Sequence, residues 1–195
     1  MSRKEAILEA AIQLFARKGY KETSMQELAE MIGAAGGTVF YHFKNKEELF
    51  VSMLENVKEG MTAEFRAYFA ENNSQNGLEM LEGALQAYLH LAGQMEERFL
   101  LLHRHYPYAL AEVNPVCRGH LEAIYDCFIA TFERAIVRGK TDGSIGDVSP
   151  PKTALIIFLL VDGLVRFKTY NLYDAGALTR ELMAACRRIV QNRQP

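Results

Sequence analysis

A run of small residues at positions 35–38 stands where a short helix is predicted to begin. Gly36 and Gly37 carry no side chain, so the helix backbone there can enter a DNA major groove closely. The hydroxyl and methyl groups of Thr38 can hydrogen-bond a base edge or touch a thymine methyl group. These residue types predict a surface that contacts double-stranded DNA.

Aromatic and basic residues directly after this run extend the candidate surface. Phe40, Tyr41 and His42 are together too bulky and too polar for one small core, so some of them must face outwards. Lys44 and Lys46 stand at the start of a long predicted helix, whose free N–H groups and dipole already favour an anion. The pair therefore predicts a phosphate contact. An ordinary three-helix packing unit with two solvated lysines is the alternative interpretation.

Helical periodicity predicts three helices in the N-terminal part of the chain, and these would position the surface. The first covers 3–18 and ends at Gly19, which suits the left-handed residue after a helix. Ser24 opens the second through a capping box, and Gly33 ends it. The third covers 36–42. Two short helices joined by a glycine-containing turn, behind a first helix, form a helix-turn-helix unit.

The rest of the chain also has helical periodicity and no persistent strand alternation. Asn45 opens a long helix, and a polar loop at 72–77 follows it. Pro107 and Pro115 bracket a stretch predicted to be irregular, and Asp174 is a candidate N-cap of the last helix. These later helices are predicted over 46–72, 78–93, 95–105, 116–138, 150–170 and 175–192. The sequence therefore predicts an all-α fold of nine helices.

The charge distribution divides this fold into a head at 1–46 and a helical body at 47–195. The head holds seven Lys or Arg and five Glu, a net charge of +2, within a chain whose total is −2. A mildly basic head on an acidic body is consistent with a nucleic-acid contact through the head alone. We expect the head to be a DNA-binding domain and the helical body to be a second domain.

Composition places the chain among ordinary globular proteins. Its 195 residues are 49% hydrophobic and 24% charged, which argues against disordered and fibrous classes. The N-terminus lacks an apolar signal segment, and the longest apolar run, 154–161, is far too short for a membrane span. The three cysteines form no disulfide framework. We therefore expect a cytoplasmic protein with no membrane partner.

Motifs for catalysis do not appear in the sequence. It holds no nucleophile elbow, phosphate-binding glycine loop or paired-carboxylate motif, so we expect no enzyme, no catalytic residue and no cofactor. Cys117 and His120 lie on one face of a predicted helix and could share a soft metal with a third ligand. No second ordered pair completes such a site. A core cysteine, a surface or cavity histidine and no metal are therefore expected.

The stretch from Thr23 to Leu49 resembles the DNA-binding head of the TetR family of bacterial transcriptional regulators. The resemblance is carried by the run Gly-Thr-Val-Phe-Tyr-His-Phe at 37–43 and by Lys-Glu-Glu-Leu at 46–49. The segment 7–20 is similar to that family's first helix. The resemblance implies a homodimeric regulator whose head binds palindromic operator DNA. It also implies that the body binds a small ligand and carries the dimer contact.

Position by position, the resemblance implies that Thr23 and Ser24 touch phosphates. The family often has serine and a basic residue where this chain has Ala35 and Gly36, and tyrosine where it has Phe40. These departures predict fewer phosphate contacts and a larger role for Tyr41. The expected DNA-binding residues are Thr23, Ser24, Ala35, Gly36, Gly37, Thr38, Phe40, Tyr41, His42, Lys44 and Lys46.

Aromatic residues at helical spacing in the body suit either a plain core or the wall of a cavity. Asp162 and Arg166 lie one turn apart in an apolar helix. Three interpretations stay open: an ion pair between the two, a polar contact in the dimer, or an anchor for a ligand. We expect a ligand that is apolar or aromatic, with its charge left open. The candidate ligand-binding residues are Tyr88, Phe99, His103, Tyr106, Tyr125, Phe128, Phe158, Asp162 and Arg166.

The two last long helices are expected to form the dimer surface. A helix as apolar as 154–167 needs cover on several sides, and two DNA-binding heads must be held at a fixed spacing. The expected interface residues are Leu155, Leu159, Val161, Leu178, Leu182, Cys186 and Ile189. The function predicted from all of this is a repressor released from its operator by a small molecule. A DNA-binding protein without such a ligand is the alternative, and an all-α enzyme with a similar head is a third class.

Overall fold

The computed structural model describes residues 2–70 and 74–191, which form ten α-helices, one 3-10 helix and no strand. The predicted all-α fold is confirmed. The helices are α1 Arg3–Arg17, α2 Met25–Met31, α3 Gly37–His42, α4 Lys46–Ala70, α5 Gly77–Gln94, α6 Glu96–Leu102, α7 His105–Val113, α8 Pro115–Asp142, α9 Pro150–Thr169 and α10 Thr179–Gln191. The first part of the predicted loop at 72–77 and the last residue of the predicted helix 175–192 lie outside the described residues.

The structure has one α-helix more than predicted, because the stretch before Pro115 is helical. Pro107 lies in the first turn of α7, where backbone N–H groups have no acceptor within the helix, so proline is tolerated there. Pro115 is itself the first residue of α8. Prolines that were expected to interrupt helices therefore mark where two of them begin.

At most helix ends, the residues predicted to begin or end the helix do so. Gly19 and Gly33 have positive φ angles of 98° and 62° and end α1 and α2. The Asn45 side chain accepts the Glu48 N–H at 2.8 Å and opens α4. The predicted N-cap role of Asp174 is wrong. Its backbone is left-handed, its side chain makes no capping bond, and the 3-10 helix Ala175–Leu178 separates it from α10.

The chain packs into two compact units that do not coincide with the predicted boundary at residues 46 and 47. The first comprises residues 1–60 and 95–123, and the second 61–94 and 124–195. The predicted functional division into head and body remains a prediction. In packing terms the helix-turn-helix belongs with α6 and α7, because α1 packs directly against α6.

The second unit is built on α5, α9 and α10, which pack against one another, and α5 also meets the end of α8. Gly77 at the start of α5 approaches Gly139 near the end of α8 so closely that a β-carbon on Gly77 would lie 2.0 Å from the Gly139 nitrogen. The last residue of α8 and the loop after it cap α5: the Asp142 carboxylate accepts the Gly77 N–H at 2.8 Å, and the Ser144 hydroxyl accepts the Leu78 N–H at 3.1 Å. No helix among the residues described is long and apolar enough to cross a membrane.

Candidate DNA-binding site

Two buried side chains fix the orientation of α3. Val39 and Phe43, one turn apart, are buried, and they hold α3 against α2, whose Leu28 and Ala29 are buried as well. This packing confirms the predicted core of the helix-turn-helix. Because α3 is anchored along one stripe, the opposite stripe of the helix faces away from the protein.

The outward stripe holds the small and aromatic residues that the sequence indicates. Tyr41 is 86% exposed and Phe40 56% exposed, while Thr38 and His42 are half-buried at the flank. Ala35, Gly36 and Gly37 are exposed, and a β-carbon on either glycine would meet nothing within 4 Å. Neither glycine has a positive φ angle, so the protein's own packing does not require glycine at these positions. The helix thus presents a bare backbone beside an exposed aromatic surface.

Thr23 does not take the predicted position on this surface. Its side chain is 1% exposed, and its hydroxyl donates to the Gly19 carbonyl at 2.9 Å, so the hydroxyl is not available to a phosphate. Ser24 is exposed and caps α2 by accepting the Glu27 N–H at 3.1 Å. The reciprocal half of the predicted capping box is replaced, since the Glu27 carboxylate pairs with Lys18.

Lys46 has a different role from the predicted phosphate contact. Its ammonium group donates to the carbonyls of Tyr20 at 2.6 Å and Thr23 at 2.8 Å, and it lies 4.3 Å from the centre of the Tyr20 ring. Burial lowers the pKa of this amine, although Glu22 opposes the shift. Two of its three N–H donors therefore hold the turn between α1 and α2.

Lys44 and Lys4 are two cations that remain accessible beside α3. Lys44 is exposed immediately after α3, and the Lys4 ammonium lies 5.8 Å from the Phe43 ring centre, at the same end of that helix. Sequence reasoning missed Lys4 because it lies in the first helix, far from the motif. The net positive charge of the N-terminal segment was the signal that could have found it.

Alanine variants of Lys44 and Lys46 should separate contact with DNA from support of the turn between α1 and α2. We expect Lys44→Ala to reduce the salt dependence of DNA binding, lowering the slope of log K against log salt by about 0.9 for each phosphate that is no longer neutralised. Lys46→Ala should leave that slope unchanged and lower the free energy of unfolding by about 1–2 kcal/mol, because two carbonyls would then have no charged donor. Titrations of random-sequence DNA at several salt concentrations, together with thermal melting, measure both effects. A reduced slope for Lys46→Ala alone would contradict the assignment.

Arg104 and Tyr106, at the start of α7, hold the end of α1 and the turn after it in place. The Arg104 guanidinium donates to the carbonyls of Ala16 at 2.9 and 2.6 Å and of Arg17 at 2.7 Å, and so caps the C-terminus of α1. The Tyr106 ring stacks on Tyr20 with centroids 3.6 Å apart. Burial is the main cause that raises the pKa of Tyr106, and the hydrogen bond with the Tyr20 hydroxyl adds to it.

Three predicted ligand residues therefore belong to the packing of this first unit. Tyr106 stacks on Tyr20, and Phe99 of α6 and His103, the residue after α6, are buried with their ring centres 6.3 Å apart. The Cys117 thiol donates to the Pro107 carbonyl at 3.5 Å, and burial raises its pKa to about 11. Burial is the main cause that lowers the pKa of His120, and the positive charge of Lys58 adds to it. No group of three metal-ligating side chains occurs in the part of the chain that the structure describes.

Five of the six remaining candidate ligand residues meet in the second unit. Tyr88 contacts Phe128 and Phe158 edge to face at 4.9 and 5.8 Å, and Tyr125 lies 5.6 Å from Phe158. The Tyr88 hydroxyl donates to the Asp162 carboxylate at 2.6 Å, so the one acidic group of the predicted set is held within this aromatic cluster. Arg166 is exposed.

The predicted interface residues fall into two groups. Leu155, Leu159 and Leu178 are exposed, whereas Leu182 and Ile189 are half-buried. Val161 and Cys186 are buried within the protein's own core, so neither is available to a partner. For these two residues the prediction is wrong. It rests on an apolar stripe in the sequence, and such a stripe does not distinguish the covered face of a helix from the uncovered one.

An uncovered apolar stripe nevertheless follows the length of α9. It consists of Leu155, Ile156, Leu159, Leu160 and Phe167, which are 41–61% exposed. Gly163 lies in the same stripe, and a β-carbon there would meet nothing within 4 Å. This surface is named the α9 stripe below.

Comparison with known proteins gives the following relatives. The sequence profile described as "Bacterial regulatory proteins, tetR family" matches residues 7–53. The chain is 30% identical over 175 residues to the uncharacterized HTH-type transcriptional regulator YfiR of Bacillus subtilis, an alignment that covers 86% of this chain and 80% of that protein. It is 26% identical to the HTH-type transcriptional regulator TtgR of Pseudomonas putida, over 82% of this chain and 77% of the relative.

Solved structures share the fold over almost the whole chain. A protein from Saccharomonospora viridis, described as a transcriptional regulator and solved in complex with choline, aligns with a TM-score of 0.85 at 20% identity, covering 97% of this chain and 98% of that one. The regulator FadR of Bacillus subtilis, solved in complex with stearoyl-CoA, aligns with a TM-score of 0.75 at 19% identity, covering 96% and 100%.

Proposed function

Because the chain belongs to the TetR family of bacterial transcriptional regulators, we propose that it is a repressor that binds palindromic operator DNA as a homodimer. We propose further that a small apolar or aromatic molecule releases it from that DNA. The observation that carries the proposal is the outward stripe of α3. There an exposed backbone at Gly36 and Gly37 adjoins exposed aromatic rings and the cation Lys44. Such a surface fits a major groove.

The α9 stripe supports the homodimer. Monomers rarely leave a row of large aliphatic side chains uncovered along one helix, and a second copy of the same stripe would cover it by two-fold symmetry. Gly163 would let the two helices approach closely at the middle of the contact. With one helix-turn-helix in each copy, the dimer would contact two half-sites of a palindrome.

The aromatic cluster around Asp162 supports a small-molecule ligand. The rings of Tyr88, Phe128 and Phe158 are buried and lie 4.9–6.4 Å apart, so a molecule that enters must separate them. A ligand acts as a switch only if it binds one arrangement of the protein more tightly than another, and this repacking supplies such a difference. The choline and stearoyl-CoA complexes of similar folds show that chemically different ligands are accommodated in those proteins.

The continuous helix α4 offers a route from ligand to DNA. It begins at Lys46, which holds the turn before α2, and it ends at Ala70 in the second unit. A ligand that displaced the far half of α4 would move its near half. In addition, α6 packs against α1, Arg104 bonds a carbonyl at the end of α1, and Tyr106 of α7 stacks on Tyr20 just after α1, so α6 and α7 would move together with the helix-turn-helix.

A ligand screen combined with DNA titration tests the switch. Duplexes that bind the protein are first selected from a random-sequence pool, and lipophilic compounds are screened by thermal shift, because binding to the folded state alone raises the melting temperature. We expect a stabilising compound to weaken binding to the selected duplex by at least about tenfold. Asp162→Asn should reduce the response to that compound and leave DNA affinity without it unchanged.

The alternative function is a DNA-binding protein of the same fold without a small-molecule ligand. It would be favoured if compounds bound tightly and left operator affinity unchanged. Failure to select any duplex over random DNA would instead contradict the DNA-binding function itself. A missing ligand response therefore leaves the DNA-binding function intact, whereas failure of the selection removes both parts of the proposal.

A further inference from the structure

Phe40 is a large apolar side chain that the protein leaves uncovered on the helix-turn-helix. Among the described residues up to position 60, the large apolar side chains that remain exposed are Met31, Phe40 and Tyr41, and all three lie on α2 or α3. Tyr41 has a hydroxyl group that can bond a phosphate or a base. The phenyl ring of Phe40 has no such group.

The position of Phe40 on α3 places it at the edge of the outward stripe. It follows the buried Val39 by one residue, which is about 100° around the helix. Gly36 lies one turn earlier on the same side, and the space where its β-carbon would be is open. Gly36 therefore places no side chain in the way of a base pair that approaches Phe40 from that side.

The chemistry of the major groove limits what this ring can recognise. Its base edges present hydrogen-bond donors and acceptors and one apolar group, the C5-methyl group of thymine. A phenyl ring against a donor or an acceptor removes water without replacing the hydrogen bond, which is unfavourable. A ring against the methyl group buries apolar surface on both sides. We propose that Phe40 selects a thymine in each half-site by contact with its C5-methyl group. The proposal rests on the operator binding proposed above.

Replacing thymine by deoxyuridine tests the contact, because the two bases differ only in that methyl group. The full-length protein is used to select a duplex from a random pool, and symmetric pairs of thymines are then changed to deoxyuridine one pair at a time. For the unaltered protein we expect one pair whose change raises Kd about fourfold per half-site, thus about 15-fold in the symmetric duplex.

Variants of Phe40 then assign the methyl contact. Phe40→Ala should bind the thymine and deoxyuridine duplexes equally, and Phe40→Leu should keep part of the difference. Tyr41→Ala, the matched control on the neighbouring exposed ring, should keep the whole difference. Melting temperatures of all variants should match that of the parent within a few degrees, since both rings are exposed.

Two results would overturn the proposal. The first is a selected duplex in which no deoxyuridine pair weakens binding, and the second is an unchanged deoxyuridine effect in Phe40→Ala. If that variant also lost the same affinity on both duplexes, the ring would lie against the sugar-phosphate backbone. A failure of the proposed function is distinguishable from these, because then no duplex would be selected at all.

Discussion

Leu159→Glu is expected to convert the protein from dimers to monomers and to weaken operator binding by about 100-fold or more. Leu159 is the most exposed residue of the α9 stripe, at 61%. In a two-fold dimer the contact would bury two added carboxylates against apolar side chains, and desolvation of both charges opposes association. A monomer keeps its fold but can occupy only one half-site. Light scattering should then report the 22.0 kDa mass of one protomer.

Two further glutamate variants separate this effect from general damage. Val113→Glu, on a residue that is 79% exposed on α7, should change neither the mass nor the operator affinity. Val161→Glu differs in kind, because Val161 is fully buried and a carboxylate there is enclosed in the protein's own core. We expect it to unfold the protein rather than to release monomers. If Leu159→Glu remained dimeric at low micromolar concentration, the interface would have to lie elsewhere.

The contrast between Leu159 and Val161 shows where sequence reasoning reaches its limit. Both are aliphatic residues of the same helix, and the segment around them is apolar on most sides. Periodicity finds a covered face only when polar residues mark the other face. For α9 both faces are apolar, so only the packed structure distinguishes the core side from the uncovered stripe.

Local features, in contrast, could be predicted well. Gly19 and Gly33 end helices with positive φ angles because the signal is contained within a few residues. Asn45 opens α4 for the same reason. The outward stripe of α3 also follows from local spacing, since Val39 and Phe43 define the buried side. What the sequence predicts correctly is therefore what neighbours along the chain determine.

Contacts between distant residues could not be predicted in this way. Arg104 caps α1 from the start of α7, and Lys46 bonds the carbonyls of the turn before α2. Local patterns predict a phosphate contact for a lysine at the start of a helix and a cavity wall for the aromatic ring of Tyr106. Both side chains are instead used to hold the helix-turn-helix, because the fold brings unpaired carbonyls and the Tyr20 ring within their reach.

The close crossing of α5 and α8 at Gly77 and Gly139 is a second contact between residues far apart in the chain. A substitution at this crossing is expected to cause a large loss of stability. A β-carbon on Gly77 would lie 2.0 Å from the Gly139 nitrogen and 2.6 Å from the Ala135 carbonyl oxygen. These are backbone atoms and cannot rotate away. We expect Gly77→Ala to lower the free energy of unfolding by about 3 kcal/mol, and the melting temperature by roughly 6–12 °C, because α5 must move away from α8.

Gly93→Ala is the matched control, since it makes the same change on the same helix. Nothing lies within 4 Å of a β-carbon at Gly93, so the variant should be stabilised by about 0.5–1 kcal/mol through helix propensity alone. Opposite signs for the two variants in urea unfolding would assign the effect to the crossing. Equal signs would contradict it.

The consequence of this crossing for DNA binding follows from the packing of α5. This helix contacts α9 and α10, so a displaced α5 disturbs the support of the α9 stripe. We therefore expect Gly77→Ala to weaken dimerisation as well as folding, and to lower operator affinity although the substitution lies far along the chain from α3. Random-sequence DNA, bound through Lys44 and its neighbours in each head, should show the smaller loss. An equal loss on operator and random DNA would mean that the substitution acts on the helix-turn-helix itself.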